Sequence, residues 1–137
     1  MNTIDVLEKK KIDFRKIKNL ADHQRETVLC DRIQEFLLLS DKREHIKNEI
    51  ESEHKKYGYL FEKADKKERE TAMTINREIA EVIESIMDVD KKIEQLVSEK
   101  KNSFLKEIKE LKKVRTAVKG YGNKKAPAYP RFIKTVG

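Results

Sequence analysis

Glycine and proline are nearly missing from most of this sequence. Of four glycines only Gly58 precedes residue 120, and the two prolines are Pro127 and Pro130. Frequent turns are therefore excluded from the first 118 residues. A single cysteine, Cys30, excludes an intramolecular disulfide. No apolar run approaches the ~20 residues that span a bilayer, so no transmembrane segment is expected. The opening MNTIDVLEKKK lacks the apolar core of a signal peptide. A cytoplasmic location is the expectation.

Residues that carry chemistry are equally sparse. There is no glycine-rich phosphate loop. The three histidines are His23, His45 and His54, and the one Glu-x-x-His pair, Glu51 with His54, lacks the second motif that iron-binding bundles need. Asp88-Val89-Asp90 has neither the glycine nor the later glutamate of a calcium loop. Cys30 lies seven residues from His23, too far along one helix for a hydrogen bond, and reads as a small buried apolar residue. The expectation is a protein without catalytic residues, metal or cofactor.

Charge is abundant, at 42% of residues with a net +7, and its placement matters. Lys119, Lys124, Lys125, Arg131 and Lys134 fall in residues 119–137, which hold no acid; the first 118 residues carry 27 bases against 25 acids. A duplex-binding protein needs a basic face that makes several phosphate contacts. The body is nearly balanced, so nucleic acid is disfavoured as a partner and survives only as a reading of the C-terminal segment.

The apolar residues that remain are spaced for helices. Ile4, Leu7, Phe14, Ile17, Ala21 and Val28 form one stripe, and Ile33, Phe36, Leu37, Ile46 and Ile50 resume it after a register change at residues 28–33. Thr3 and Asp5 suit an N-terminal turn. A helix is predicted over 3–56, bent or broken near that change. Tyr57-Gly58-Tyr59 opens a connection over 57–65, with Leu60 and Phe61 closing the end of the seam. A second helix is predicted over 66–119, on the strongest pattern in the chain. Ile75, Ile79, Val82, Ile86, Val89, Ile93 and Leu96 follow alternating spacings of four and three, the heptad seam of a coiled coil. The seam then shifts by one, through Val97, Phe104, Ile108, Leu111 and Val118. Charge pairs four apart, such as Asp65 with Arg69 and Asp88 with Lys92, are expected on the outside. Gly120 ends the helix.

The fold expected is all-α: a long antiparallel helical hairpin or elongated helical bundle with a flexible C-terminal tail. A hairpin of two ~75 Å helices buries one stripe per helix and is marginal alone, since each buried Ile or Leu returns about 1.5–3 kcal/mol against about 1–2 per ordered residue. Leu37-Leu38-Leu39 spans more than one helix face. At least one of them must be exposed or covered by a third helical segment, a second copy in a homodimer, or a partner. In residues 120–137, Tyr121, Tyr129, Phe132 and Ile133 alternate with bases. That pattern suits docking of a protein partner, packing back on the bundle or, less well, stacking on nucleic-acid bases.

Residues 20–50, LADHQRETVLCDRIQEFLLLSDKREHIKNEI, resemble the first helical region of flagellar export chaperones of the FlgN and FliT type. Gln24 precedes a polar turn and an apolar stretch, Asp31 to Leu39, and Arg43 introduces another amphipathic segment. IMDVDKKIEQLVSEKK, residues 86–101, resembles their later long helix through Ile86 and Asp90, and Tyr121 followed by PRFIKTVG resembles their C-terminal end. Lys134 stands where an acid would follow the isoleucine. The resemblance implies a cytoplasmic chaperone of type III secretion. It would bind the helical C-terminal region of a late export substrate, a hook-associated or filament-cap protein, prevent premature assembly and deliver the cargo to the export gate. Phe104, Ile108, Leu111 and Val118 are the expected cargo surface, Tyr121 the gate contact, and Tyr129 and Phe132 further partner contacts. A structural coiled-coil component of an export ATPase complex is the alternative, favoured by two long helices.

Overall fold

The computed structural model describes residues 2–119, with side chains through Thr116. It is all-α, as the periodicity predicts, with four α-helices among the described residues: α1 (Thr3–Leu29), α2 (Ile33–Tyr57), α3 (Lys66–Glu99) and α4 (Lys101–Lys119). A 3-10 turn, Gly58–Lys63, connects α2 to α3. The expected connection lies there, whereas each expected long helix is divided, the first at residues 30–32 and the second at Lys100.

Local chemistry sets these boundaries. The Asn2 side chain accepts from the Asp5 backbone N–H at 2.9 Å, and the Asp5 carboxylate accepts from Asn2, a reciprocal cap on α1. Asp65 caps α3 by accepting from the Glu68 backbone N–H at 2.8 Å. Its carboxylate therefore serves the backbone and not Arg69. At the end of α1 the Arg32 N–H donates to the Thr27 carbonyl at 2.8 Å and the Asp31 N–H to that of Val28 at 3.2 Å. With Asp31 at a φ of 57°, this is the left-handed C-terminal closure usually made by glycine.

The helices do not form a two-stranded hairpin. α1 is the central element and packs along both α2 and α3. It runs antiparallel to α2, since Lys9 pairs with Glu53 while Gln24 meets Phe36. It runs parallel to α3, since Lys11 meets Glu78, Ile17 clusters with Ile86, and Val28 meets Lys100. The third helical segment that the surplus apolar surface demands is thus α1 itself, folded back by the break at residues 30–32. The α3 seam faces it: Ile75, Ile79, Ile86, Val89 and Ile93 are buried. Phe61 closes the cluster of Leu7, Ala72, Ile75 and Ile79 at one end.

The core is deepest at the other end, where all four helices meet. Ala21 and Val28, then Ile33, Phe36 and Leu37, then Val89, Ile93 and Val97, and finally Phe104 and Ile108 form one buried cluster. Phe36 and Phe104 stack edge to face, with ring centroids 5.5 Å apart and planes at 78°. This contact and the Arg115–Asp41 bond of 3.0 Å hold α4 over the N-terminal half of α2.

Candidate functional site

Sequence reasoning missed the polar links that position this four-helix end. Lys100, at the α3–α4 break, donates to the carbonyls of Val28 and Leu29 at 3.0 and 3.3 Å and to Asp31 Oδ1 at 2.7 Å. A cation there meets the Leu29 carbonyl at the end of α1 and adds a second bond to that of Val28, which already accepts from the Asp31 N–H. No glycine or proline marks the α3–α4 break, so the heptad shift near Val97 was its only signal.

A second network crosses the bundle. Arg43 of α2 donates to both carboxylate oxygens of Asp90 on α3, at 2.8 and 2.9 Å, and to Gln24 Oε1 on α1 at 2.8 Å. Gln24 is fully buried. Its Nε2 donates to Ser40 Oγ at 2.7 Å and to the Phe36 carbonyl at 3.3 Å. A buried amide with both ends engaged specifies one alignment of three helices. Gln24, Arg43 and Asp90, three of the positions singled out in the sequence, are thus brought together by the fold.

A groove of about 910 Å³ lies between the start of α2 and residues 107–114 of α4. Its apolar lining is Ile33, Leu38, Leu111 and Val114. Leu38 is 55% and Val114 61% exposed, while Leu111 is half-buried against the core cluster. The rim carries Asp31, Glu35, Glu107 and Glu110 against Arg32 alone. Asp31 is engaged by Lys100, and Glu35 by His23 at 3.0 Å and Arg32 at 3.8 Å. Among the described residues, Glu107 and Glu110 have no ion-pair partner. The surface is apolar in its floor and acidic at its edge. It can hold an apolar helix face or an extended segment flanked by bases.

The expected partner residues divide across this site. Phe104 and Ile108 are 1% and 2% exposed and belong to the intramolecular core, because α4 turns its stripe onto Phe36 and Leu37. Leu37 and Leu39 are likewise buried, leaving Leu38 as the exposed leucine of the triplet. Leu111 and Leu38 meet in the groove, joined by Val114, which the heptad reading passed over. The Val118 side chain, Tyr121, Tyr129, Phe132 and the whole segment 120–137 lie outside the described residues. Cys30 corrects its reading as a buried residue: it is exposed, as the C-terminal cap of α1.

Other features fall to structural roles. His23 and His45 pair with Glu35 and Glu49. No group of three His, Cys, Asp or Glu among the described residues could hold a metal ion. No helix among them is long and apolar enough to cross a membrane. A second open groove, of about 690 Å³, runs between α1 and α2 over Leu20 and Ile46. No family model matches the chain, and neither a curated protein nor a solved structure matches it.

Proposed function

We propose that this protein is a secretion chaperone of the flagellar type. In the cytoplasm it holds a helical C-terminal segment of a late export substrate, a hook-associated or filament-cap protein, in the α2–α4 groove. It keeps that segment from assembling early and passes it to the export gate. The observation that carries the reading is the open groove itself: two exposed apolar side chains, Leu38 and Val114, flank half-buried Leu111 where four helices meet. A helix presenting apolar residues three and four apart would cover them. The joining of Gln24, Arg43 and Asp90 in one network adds support, because a platform must keep its helices in register to present a groove. The stalk-like coiled-coil reading drew on two long helices, and four helices divided at residues 30–32, at 58–63 and at Lys100 lend it less support.

Titration of fluorescent peptides from the C-terminal helices of hook-associated and cap proteins tests the proposal. Saturable binding with a Kd of about 1 μM is expected, roughly −8 kcal/mol. Leu38→Glu and Val114→Glu, both at exposed positions, should each weaken it about tenfold or more with the melting temperature held. No saturable binding, or binding indifferent to both substitutions, defeats the proposal.

A further inference from the structure

The rim of the α2–α4 groove and the chain that follows α4 are opposite in charge. Glu107 and Glu110 stand without ion-pair partners among the described residues, beside Leu111 and Val114. Residues 120–137 contain Lys124, Lys125, Arg131 and Lys134, no acid, and the apolar side chains of Tyr129, Phe132 and Ile133 among them. Both chemistries of the groove, the apolar floor and the acidic edge, thus have a counterpart in one stretch of sequence.

Connectivity puts that stretch within reach. The α4 lining begins at Val114 and runs back to Glu107, about 18 Å of helix from Lys119 at 1.5 Å per residue. Eighteen residues span up to about 60 Å when extended, enough to reverse and cover the groove. Gly120, Gly122 and Asn123, directly after α4, are the residue types that reverse a chain at little steric cost. Tethering supplies a local concentration on the order of millimolar, so individually weak contacts suffice to close it.

We infer that residues 120–137 seat intramolecularly in the α2–α4 groove, with Phe132 and Ile133 on Leu38, Leu111 and Val114 and the neighbouring bases against Glu107 and Glu110. The inference uses the groove of the proposed function but not its cargo, since the seat would exist whatever partner came there. Its consequence for the proposed function is competition: a partner helix must displace the segment.

Cys30, the only cysteine, is exposed and adjoins Asp31 on the groove rim. It offers a site for a nitroxide spin label on the full chain, read through broadening of backbone amide signals in residues 120–137. At about 0.05 M salt, where screening is weak, amides around residues 129–134 should broaden. The broadening should vanish in E107K/E110K and in K124E/K125E/R131E/K134E, and return when the two sets are combined. Unchanged signals from α1–α3 confirm that each variant is folded. Absence of broadening at low salt overturns the inference, as does broadening that survives both charge reversals. So does broadening seen only when a spin-labelled chain is mixed with an isotope-labelled one, which assigns the groove to a second copy.

The same variants separate this inference from the proposed function. If both hold, the tail-reversed chain binds the partner peptide about tenfold more tightly, because the competing state is removed. Peptide binding with no tail broadening leaves the chaperone reading standing and removes the seat. Tail broadening in a chain that binds no export peptide leaves the seat and removes the chaperone reading.

Discussion

Arg43 grips Asp90 with both arms of its guanidinium, at 2.8 and 2.9 Å, across 47 positions of sequence. The same group reaches Gln24 on a third helix. Bidentate arginine–carboxylate pairing fixes direction as well as distance. Lysine cannot reproduce it. The two side chains are 20% and 30% exposed, so the pair is partly screened. Arg43→Ala should destabilise by about 1–3 kcal/mol, since it also leaves buried Gln24 with an unmet acceptor. Arg43→Lys should recover less than half of the loss. Urea midpoints of R43A, D90A and the double variant check this; a coupling energy near zero would mean that the pair is ornamental.

Phe104 and Ile108 are predicted to matter for folding. Phe104→Ala should cost about 3–5 kcal/mol and Ile108→Ala about 2–5, through the cavities they leave in the four-helix core. Leu38→Ala, at an exposed position, should change stability by under about 0.5 kcal/mol. Thermal melts of the three variants decide it. Phe104→Ala melting like the parent would show that α4 does not complete the core.

Lys11 and Glu78 tie α1 to α3 at 2.9 Å. The hydrogen bond to Glu78, then that to Glu8, holds the Lys11 ammonium above its usual range. The hydrogen bond and charge of Lys11 hold Glu78 below the usual carboxylate range. Glu78 therefore contributes stability that is fully present above about pH 4.5, its unfolded value, and is lost as pH falls through its lower folded value. Lys11 contributes stability present below about pH 10.5 and lost as pH rises through its higher folded value. Glu78→Gln should flatten the acid limb of a stability–pH profile and weaken the alkaline one. An acid limb unaltered in E78Q would assign it to other carboxylates.

The turn at residues 30–32 makes two opposed predictions. Lys100→Met should destabilise by about 1 kcal/mol, by uncapping the end of α1. Asp31→Gly removes the steric cost of a left-handed residue, about 1 kcal/mol, but also removes a partner of Lys100. Its net effect should lie near zero in the parent and be stabilising in the Lys100→Met background. Chemical denaturation of the four combinations tests the sign.

Gly58 lies at a φ of −58°, and a Cβ there would meet nothing within 4 Å. Gly58→Ala should raise stability by about 0.4–1 kcal/mol by stiffening the unfolded chain. A fall in melting temperature would show that the turn needs glycine for another reason.

How much of this was legible follows from what periodicity encodes. The α3 seam was readable because one helix face repeats at four and three. The break after α1 was readable because the stripe changes register there. Periodicity names a buried face but not the helix that covers it. The parallel pairing of α1 with α3 was invisible for that reason, and so was the packing of α4 on Phe36 and Leu37, without which Phe104 and Ile108 looked like surplus surface. The α3–α4 break was hidden because Lys100 holds it through side-chain bonds to another helix, without a residue that breaks helices locally. Gln24, Arg43 and Asp90 stood out in the sequence only as separate polar positions, and their joining is explicable only as a contact between three helices. Asp13, buried beside Lys9, broke the rule that charged positions face water and left no signal at all.

The parallel placement of α1 beside α3 also orders events during synthesis. Chains emerge N-terminus first, at about 5–20 residues per second. Once α1 and α2 have emerged they can close on each other, but the face of α1 that meets Ile75, Ile79 and Ile86 waits for the whole of α3. For a few seconds at each round of translation, the nascent protein displays to its surroundings an apolar helix face that the finished molecule hides.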